Sequence, residues 1–192
     1  VKESSYANYV NIVSKHILPV LGGEHIINLT TSKINDFIHL KLTNGRLDGK
    51  GGLSAKSVRD IMTVYRSIEN YAVSEYGMRE TYFTMPKVQS KHTDILDSVE
   101  RKRLETYLIG NINRTNMAIL LCLFTGLHVG ELSGLKWEDI DFGNSVLSVK
   151  RTVQRVSKNG KSQVIIGTPK SRSSIRTVPI PIFVLNILKD YK

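Results

Sequence analysis

The sequence predicts a mostly α chain with a small antiparallel β-sheet: an all-helical first half followed by an α+β second half. Three observations carry this. Apolar residues recur at spacings of three and four through about residue 135, then give way to alternation after residue 145. Asn159-Gly160 sits between two alternating runs, a two-residue hairpin signal. Hydrophobic residues make up 41% of the 192 and charged residues 23%, a globular balance that allows one or two domains.

The elements follow in order. Ser4 or Ser5 opens a helix to about Ile17, with Tyr6, Tyr9, Val10, Val13 and Ile17 on one face. Leu18-Pro19-Val20-Leu21-Gly22-Gly23 ends it. Thr31-Ser32 precedes a second amphipathic helix bearing Ile34, Phe37, Ile38 and Leu42. Residues 44–52 hold four glycines and read as a loop. Ser54 opens the longest helix, about 55–76, on which Val58, Ile61, Met62, Tyr65, Ile68, Tyr71 and Ala72 share a face. Asp97 with Glu100 forms a capping box for the next helix. The run 115–125 is apolar nearly all round and reads as a buried helix, and 129–135 as a short one. Residues 146–149 alternate as a strand, which 152–156 extends. Residues 163–166 and 174–180 are two further strands. Pro179 and Pro181 close the sheet, and Phe183, Leu185 and Leu188 begin a last helix. The expected domains are 1–83, a polar linker 84–94, and 95–192, an α+β domain that reads as unfinished.

Charge narrows the function. The net charge is +10, from 27 basic and 17 acidic residues. The first 94 residues contribute +3 and the remainder +7. Between Lys150 and Arg176 lie eight basic residues and no acid: Lys150, Arg151, Arg155, Lys158, Lys161, Lys170, Arg172 and Arg176. Such a stretch repels itself unless it is solvated or faces a polyanion. Lys56, Arg59 and Arg66 share a helix face and form a weaker basic patch. Double-stranded DNA is the expected partner. No apolar run reaches the roughly 18 residues of a membrane span, and no signal peptide opens the chain. Val1 suggests a start inside a longer protein. A soluble, cytoplasmic protein is expected. The single cysteine, Cys122, reads as a small core residue. His16, His25, His39 and His92 show no metal spacing, so neither metal nor cofactor is expected.

The densest motif is Thr125-Gly126-Leu127-His128-Val129-Gly130-Glu131-Leu132-Ser133-Gly134-Leu135-Lys136-Trp137-Glu138-Asp139-Ile140-Asp141. It resembles the first catalytic box of tyrosine recombinases, roughly Thr-Gly-x-Arg-x-x-Glu-Leu-x-x-Leu-x-Trp-x-Asp-Ile. The helical half resembles that family's core-binding domain, down to the Tyr-x-x-Tyr helix ending in Ile-Leu-Pro-x-Leu-Gly. Thr168-Pro169-Lys170-Ser171-Arg172-Ser173-Ser174-Ile175-Arg176-Thr177-Val178-Pro179 is similar to the hairpin region that holds the catalytic lysine. The glycine-rich loop looks most like integrases of conjugative transposons and phages. The resemblance implies a helical SAM-like, four-helix core-binding domain followed by part of an α+β catalytic domain.

It also implies a chemistry. A tyrosine attacks the scissile phosphate to form a 3′-phosphotyrosine, two arginines hold the non-bridging oxygens, and a lysine protonates the leaving hydroxyl. Full-length members work as a synaptic tetramer. Lys170 matches the general acid and Glu131 the acidic residue near the first arginine. Trp137, Leu132 and Leu135 read as core, and Asp139 and Asp141 as residues that cap or turn the chain.

Two departures stand out. His128 occupies the first arginine position, and histidine lacks the planar fork of arginine. By analogy with lost oxyanion donors and arginine fingers, such a change costs roughly a hundredfold to a hundred-thousandfold in rate. A natural degenerate copy, a selected inactivating change and a working histidine all remain open. The second departure is that the family's His-x-x-Arg box and nucleophilic tyrosine are not among these residues. Tyr191 follows no such box and receives no catalytic role. The expectation is therefore a DNA-binding fragment that is inactive by itself. The alternatives are a catalytically dead DNA-binding regulator derived from a recombinase, or a basic RNA-binding protein.

Overall fold

The computed structural model describes residues 2–89, 94–158, 161–168 and 174–192. The chain divides into two compact units: Val1–His92 with Ser157–Lys161, and Thr93–Val156 with Ser162–Lys192.

In the first unit, α1 spans Glu3–Ile12 and runs through a π-helical turn, Val13–Ile17, into α2, Leu18–Leu21. The sequence predicts a stop at Leu18-Pro19, but the helix continues for another turn. Proline tolerates the first positions of a helix, where its missing N–H is not needed. Pro19 stands there in α2, and the wide turn before it accommodates the change. The predicted apolar face also shifts. Ala7 and Ile17 are buried, while Tyr6, Tyr9 and Val10 are exposed. A 3₁₀ turn, Ile26–Asn28, leads to α3, Thr31–Asn44, capped by the Thr30 hydroxyl. The longest helix, α4, spans Ala55–Tyr76, with Ser54 as its N-cap and Gly77 at its C-cap.

Ile34, Phe37 and Ile38 of α3 pack against Val58, Ile61, Met62 and Tyr65 of α4, with Ile17, Leu21 and Leu29 completing the core. Each such apolar side chain contributes about 1.5–3 kcal/mol on burial. Lys41 takes the core-facing place that helical spacing assigns to Leu42. It is buried, with its ammonium 5.3 Å from the Phe37 ring. The stretch after α4 is not a free tether in its early part. Phe83 packs edge-on to Tyr65 at 5.8 Å, and Phe83 and Met85 join the core.

In the second unit, α5 spans Ser98–Gly110 and α6 Arg114–Thr125. The predicted capping box is present at α5: Asp97 accepts from the Val99 and Glu100 N–H groups, and Glu100 accepts from Asp97 N–H. The short helix α7, Val129–Gly134, follows, then a 3₁₀ turn, Trp137–Asp139. The strands are β1 Ile140–Asp141, β2 Val146–Val149, β3 Thr152–Lys158, β4 Lys161–Gly167 and β5 Arg176–Pro179, of which the end of β3 and the start of β4, within Ser157–Lys161, fall in the first unit. The last helix, α8, spans Ile182–Tyr191.

The sheet orders β1-β2-β5, all antiparallel, with Leu147 opposite Val178 and Ile140 opposite Leu147. β3 does not extend β2, as the alternation suggested. Lys150 and Arg151 interrupt the run, and β3 pairs with β4 in a separate two-stranded ribbon. The Asn159-Gly160 turn itself lies outside the described residues. Leu108, Leu120, Leu121, Leu147, Val149, Val184, Leu185 and Leu188 form the core. The all-round apolar helix α6 is only partly enclosed, since Ile119 and Leu123 remain exposed. Trp137, read as core, is 41% exposed.

Candidate functional site

The short helix α7 presents the site. Two glycines let it sit tight against the base of β3. A side chain at Gly130 would start 2.5 Å from the Thr152 hydroxyl oxygen, and one at Gly134 would start 3.0 Å from the Arg151 carbonyl oxygen. Four residues apart, they form one smooth face. The other side of α7 carries Glu131, and His128 stands at its N-cap.

Glu131 is the hub. Its carboxylate is 8% exposed and accepts from both ends of the Arg176 guanidinium, Nη1 to Oε1 at 2.8 Å and Nη2 to Oε2 at 3.0 Å. Oε2 also accepts from the His128 backbone N–H at 3.0 Å and lies 3.3 Å from His128 Nδ1. Arg176 donates further to the Ser174 carbonyl oxygen at 3.2 Å. These bonds bring together residues from α7 and from β5, 45 positions apart. The Arg176 hydrogen bonds, helped by the N–H and ring of His128, outweigh burial and hold the Glu131 carboxyl down at about 2. Arg176 is correspondingly raised above its usual range by the same contact. The His128 ring is 83% exposed.

A second hub lies below. Asp139 is 1% exposed at its side chain and binds Arg151 at 2.6 Å, Lys150 at 3.2 Å and the Lys136 N–H at 3.0 Å. Burial pushes its carboxyl up, but these partners together hold it below the usual carboxylate range. Arg151 also donates to the Gly134 carbonyl oxygen at 3.1 Å.

The predicted basic set is therefore sorted by contacts. Arg151 is an internal tie, and Arg176 is turned toward Glu131. Lys150 is half exposed and engaged with Asp139. Arg66 is also withdrawn. It binds Glu69 at 3.0 Å, Glu80 at 2.7 Å and the Thr81 carbonyl oxygen at 3.1 Å, and stacks 4.2 Å from the Phe83 ring. It does not share the exposed face of Lys56 and Arg59. Those two are exposed, and so are Arg155 on β3 and Lys161 on β4. Lys158 lies on β3. Lys170 and Arg172 lie outside the described residues. Residues the sequence reading missed are Glu69, Gly130 and Gly134, and Asp139 was given a lesser part than it plays. The small-x-x-x-small spacing of the glycines was the one local signal available.

Among the described residues no cluster of histidine, cysteine and carboxylate side chains suits a metal ion. No helix among them is long and apolar enough to cross a membrane. Tyr65 is buried, and burial with the nearby Glu69 pushes its phenol up to about 12.

The phage integrase family model matches residues 94–191, and the phage integrase N-terminal SAM-like domain matches residues 1–42. The chain belongs to the phage integrase family. It is 34% identical to a tyrosine recombinase XerC-like protein of Caldanaerobacter subterraneus over 73% of this chain and 39% of that one. It is 28% identical to the ICEBs1 integrase of Bacillus subtilis over all of this chain and 50% of that one. The chain thus spans at most about half the length of these relatives. The fold is similar to that of the Tn1549 transposon integrase, solved with a circular intermediate DNA, at a TM-score of 0.76 and 22% identity over 99% of this chain and 59% of that one. It is also similar to lambda integrase, solved as a tetramer on a Holliday junction, at a TM-score of 0.58 and 20% identity over 88% of this chain and 45% of that one.

Proposed function

We propose that this chain binds duplex DNA for site-specific recombination, and that it holds part of the site at which the scissile phosphate is bound. The carrying observation is the basic ribbon β3–β4, whose Arg155 and Lys161 are exposed within a 27-residue stretch that contains no acid. Lys56 and Arg59 on α4 supply a second basic surface. Sequence-independent phosphate neutralisation then sets affinity and makes it salt-dependent. Family membership points to mobile-element DNA, to integration or recombination through a 3′-phosphotyrosine, to assembly with further protomers in a synaptic tetramer, and to work in the cytoplasm. Lys170 is assigned as general acid by its motif.

The test is fluorescence anisotropy with a labelled duplex across a salt series. Arg155→Gln, Lys161→Gln and Arg59→Gln are each expected to lower the log–log salt slope by about 1. Arg66→Gln and Arg151→Gln are expected to leave it unchanged. Equal slopes for all five would sink the assignment. The nucleophilic tyrosine and second arginine box are not among these residues, so this chain is expected to form no covalent adduct on a suicide duplex. A phosphotyrosine adduct would refute that.

One observation favours a second reading. His128 replaces the bidentate donor of the phosphate clamp, as expected of a DNA-binding regulator that has lost catalysis. In a chain that carries the remaining catalytic residues, His128→Arg raises strand cleavage on the first reading with an impaired site. Unchanged cleavage removes position 128 from the clamp.

A further inference from the structure

We propose that Arg176 is a positioning residue and not a phosphate contact: through Glu131 it fixes the side chain of His128, so that the ring presents Nε2 outward. The proposal rests on the phosphate-site reading above.

The geometry runs from the strand to the helix. Arg176 stands at the start of β5 and meets Glu131 end-on, one Nη to each carboxylate oxygen at 2.8 and 3.0 Å. A bidentate pair of this kind fixes the plane of a carboxylate, which a single contact cannot. Three of its five N–H donors point inward, two to Glu131 and one to the Ser174 carbonyl oxygen. Only about a third of the side chain is exposed. The fixed carboxylate then faces His128 twice, at its backbone N–H and at Nδ1. A carboxylate beside one imidazole nitrogen accepts a hydrogen bond from the N–H of that nitrogen and so selects the tautomer that keeps the proton there. With Nδ1–H turned to Glu131, Nε2 is the ring atom left to meet a ligand, and the ring is 83% exposed. Without Arg176, the remaining backbone tie on Oε2 leaves the carboxylate free to rotate away from the ring.

The neighbourhood fits this division of labour. Val149, whose partner across the sheet is Arg176, is buried, which anchors β5 on the core. Gly130 and Gly134 press α7 onto β3, which anchors the other end. The ion pair spans two anchored elements, whereas Arg155 and Lys161 sit on an exposed ribbon.

The experiment uses this chain with ¹⁵N-labelled histidine, with His128 assigned by His128→Gln, and a fluorescein-labelled duplex. Long-range ¹H–¹⁵N spectra report which ring nitrogen carries the proton. The Nδ1–H form is expected in the parent chain, a mixture in Arg176→Gln and Glu131→Ala, and a return toward Nδ1–H in Arg176→Lys. The salt slope of duplex binding in Arg176→Gln is expected to equal that of the parent, while Arg155→Gln lowers it by about 1. A slope drop in Arg176→Gln matching that of Arg155→Gln makes Arg176 a phosphate contact and overturns the proposal. A His128 tautomer indifferent to Glu131→Ala overturns it as well. If Arg176→Gln does not fold by circular dichroism, Arg176→Lys and Glu131→Ala decide. If no chain binds duplex, the functional reading fails while the spectra still decide the positioning.

Discussion

At the scale of single residues, the outcome for each charge depends on what it meets. Glu131 illustrates this, because its partners hold its carboxyl at about 2. The unfolded chain regains an ordinary carboxylate near 4.5, so the ion pair contributes stability that is fully present above that pH. The contribution, on the order of 2 kcal/mol, is lost as pH falls toward about 2. Melting curves of the parent chain and Glu131→Gln between neutral pH and pH 2.5 should converge at the acid end. His16 has the opposite chemistry. Burial first, then Lys41 and Lys15, lower it, and its Nδ1 is buried with no hydrogen-bond partner. Below about pH 6.5 the unfolded chain takes up a proton that the folded chain resists, so stability falls with pH. Above that pH the contribution is flat. His16→Gln should flatten the slope of melting temperature between pH 6.5 and 5; an unchanged slope would discount the role of the buried Nδ1. Arg66→Ala leaves the buried Glu69 without its cation, and urea denaturation should show a loss of about 3 kcal/mol.

At the scale of elements, the small helix α7 is held by shape more than by length. Six residues are too few to be helical alone. Its position comes from the glycine face pressed on β3 and from Arg151 bridging the Gly134 carbonyl to Asp139. Gly134→Ala places a methyl 3.0 Å from backbone, and β3 or α7 must shift. We expect a loss of about 1–3 kcal/mol, read by denaturant midpoints, with a displaced His128 resonance. A wild-type midpoint would mean that the ribbon base gives way freely. Much of the element pattern was legible in the sequence. Val58, Ile61, Met62 and Tyr65 follow helical spacing and are buried, and Asp97 with Glu100 forms its capping box. Less legible was the first helix. Its tyrosines obey the same spacing as core residues, yet Tyr6 and Tyr9 face outward. Periodicity names a face but not what covers it.

At the scale of the whole molecule, two compact units share the chain evenly and each has its own core. The net charge of +10 is not spread uniformly in its effect. Arg66, Arg151 and Arg176 are neutralised by carboxylates in the fold, so the number of counterions released from DNA phosphates on binding should fall short of the basic count. Of the eleven basic residues singled out on α4 and between Lys150 and Arg176, these three are withdrawn and eight are left, so a salt slope below that of eleven contacts is the expected outcome for the chain.

By itself the sequence determined the class of fold, the Thr125–Asp141 motif, the excess of positive charge and the histidine at position 128. These are local: they rest on spacing, composition and residue identity, all of which act within a few turns of chain. Only the tertiary structure decided which cations are available. The partners of Arg151 and Arg176 lie 12 and 45 residues away, and Glu80, the second partner of Arg66, lies 14 away; a pairing across such distances leaves no trace in local pattern, whereas the Arg66–Glu69 pair sits at helical spacing. The physical reason is that charge is a property of a residue, while its effect on a ligand depends on the carboxylate that folding places beside it.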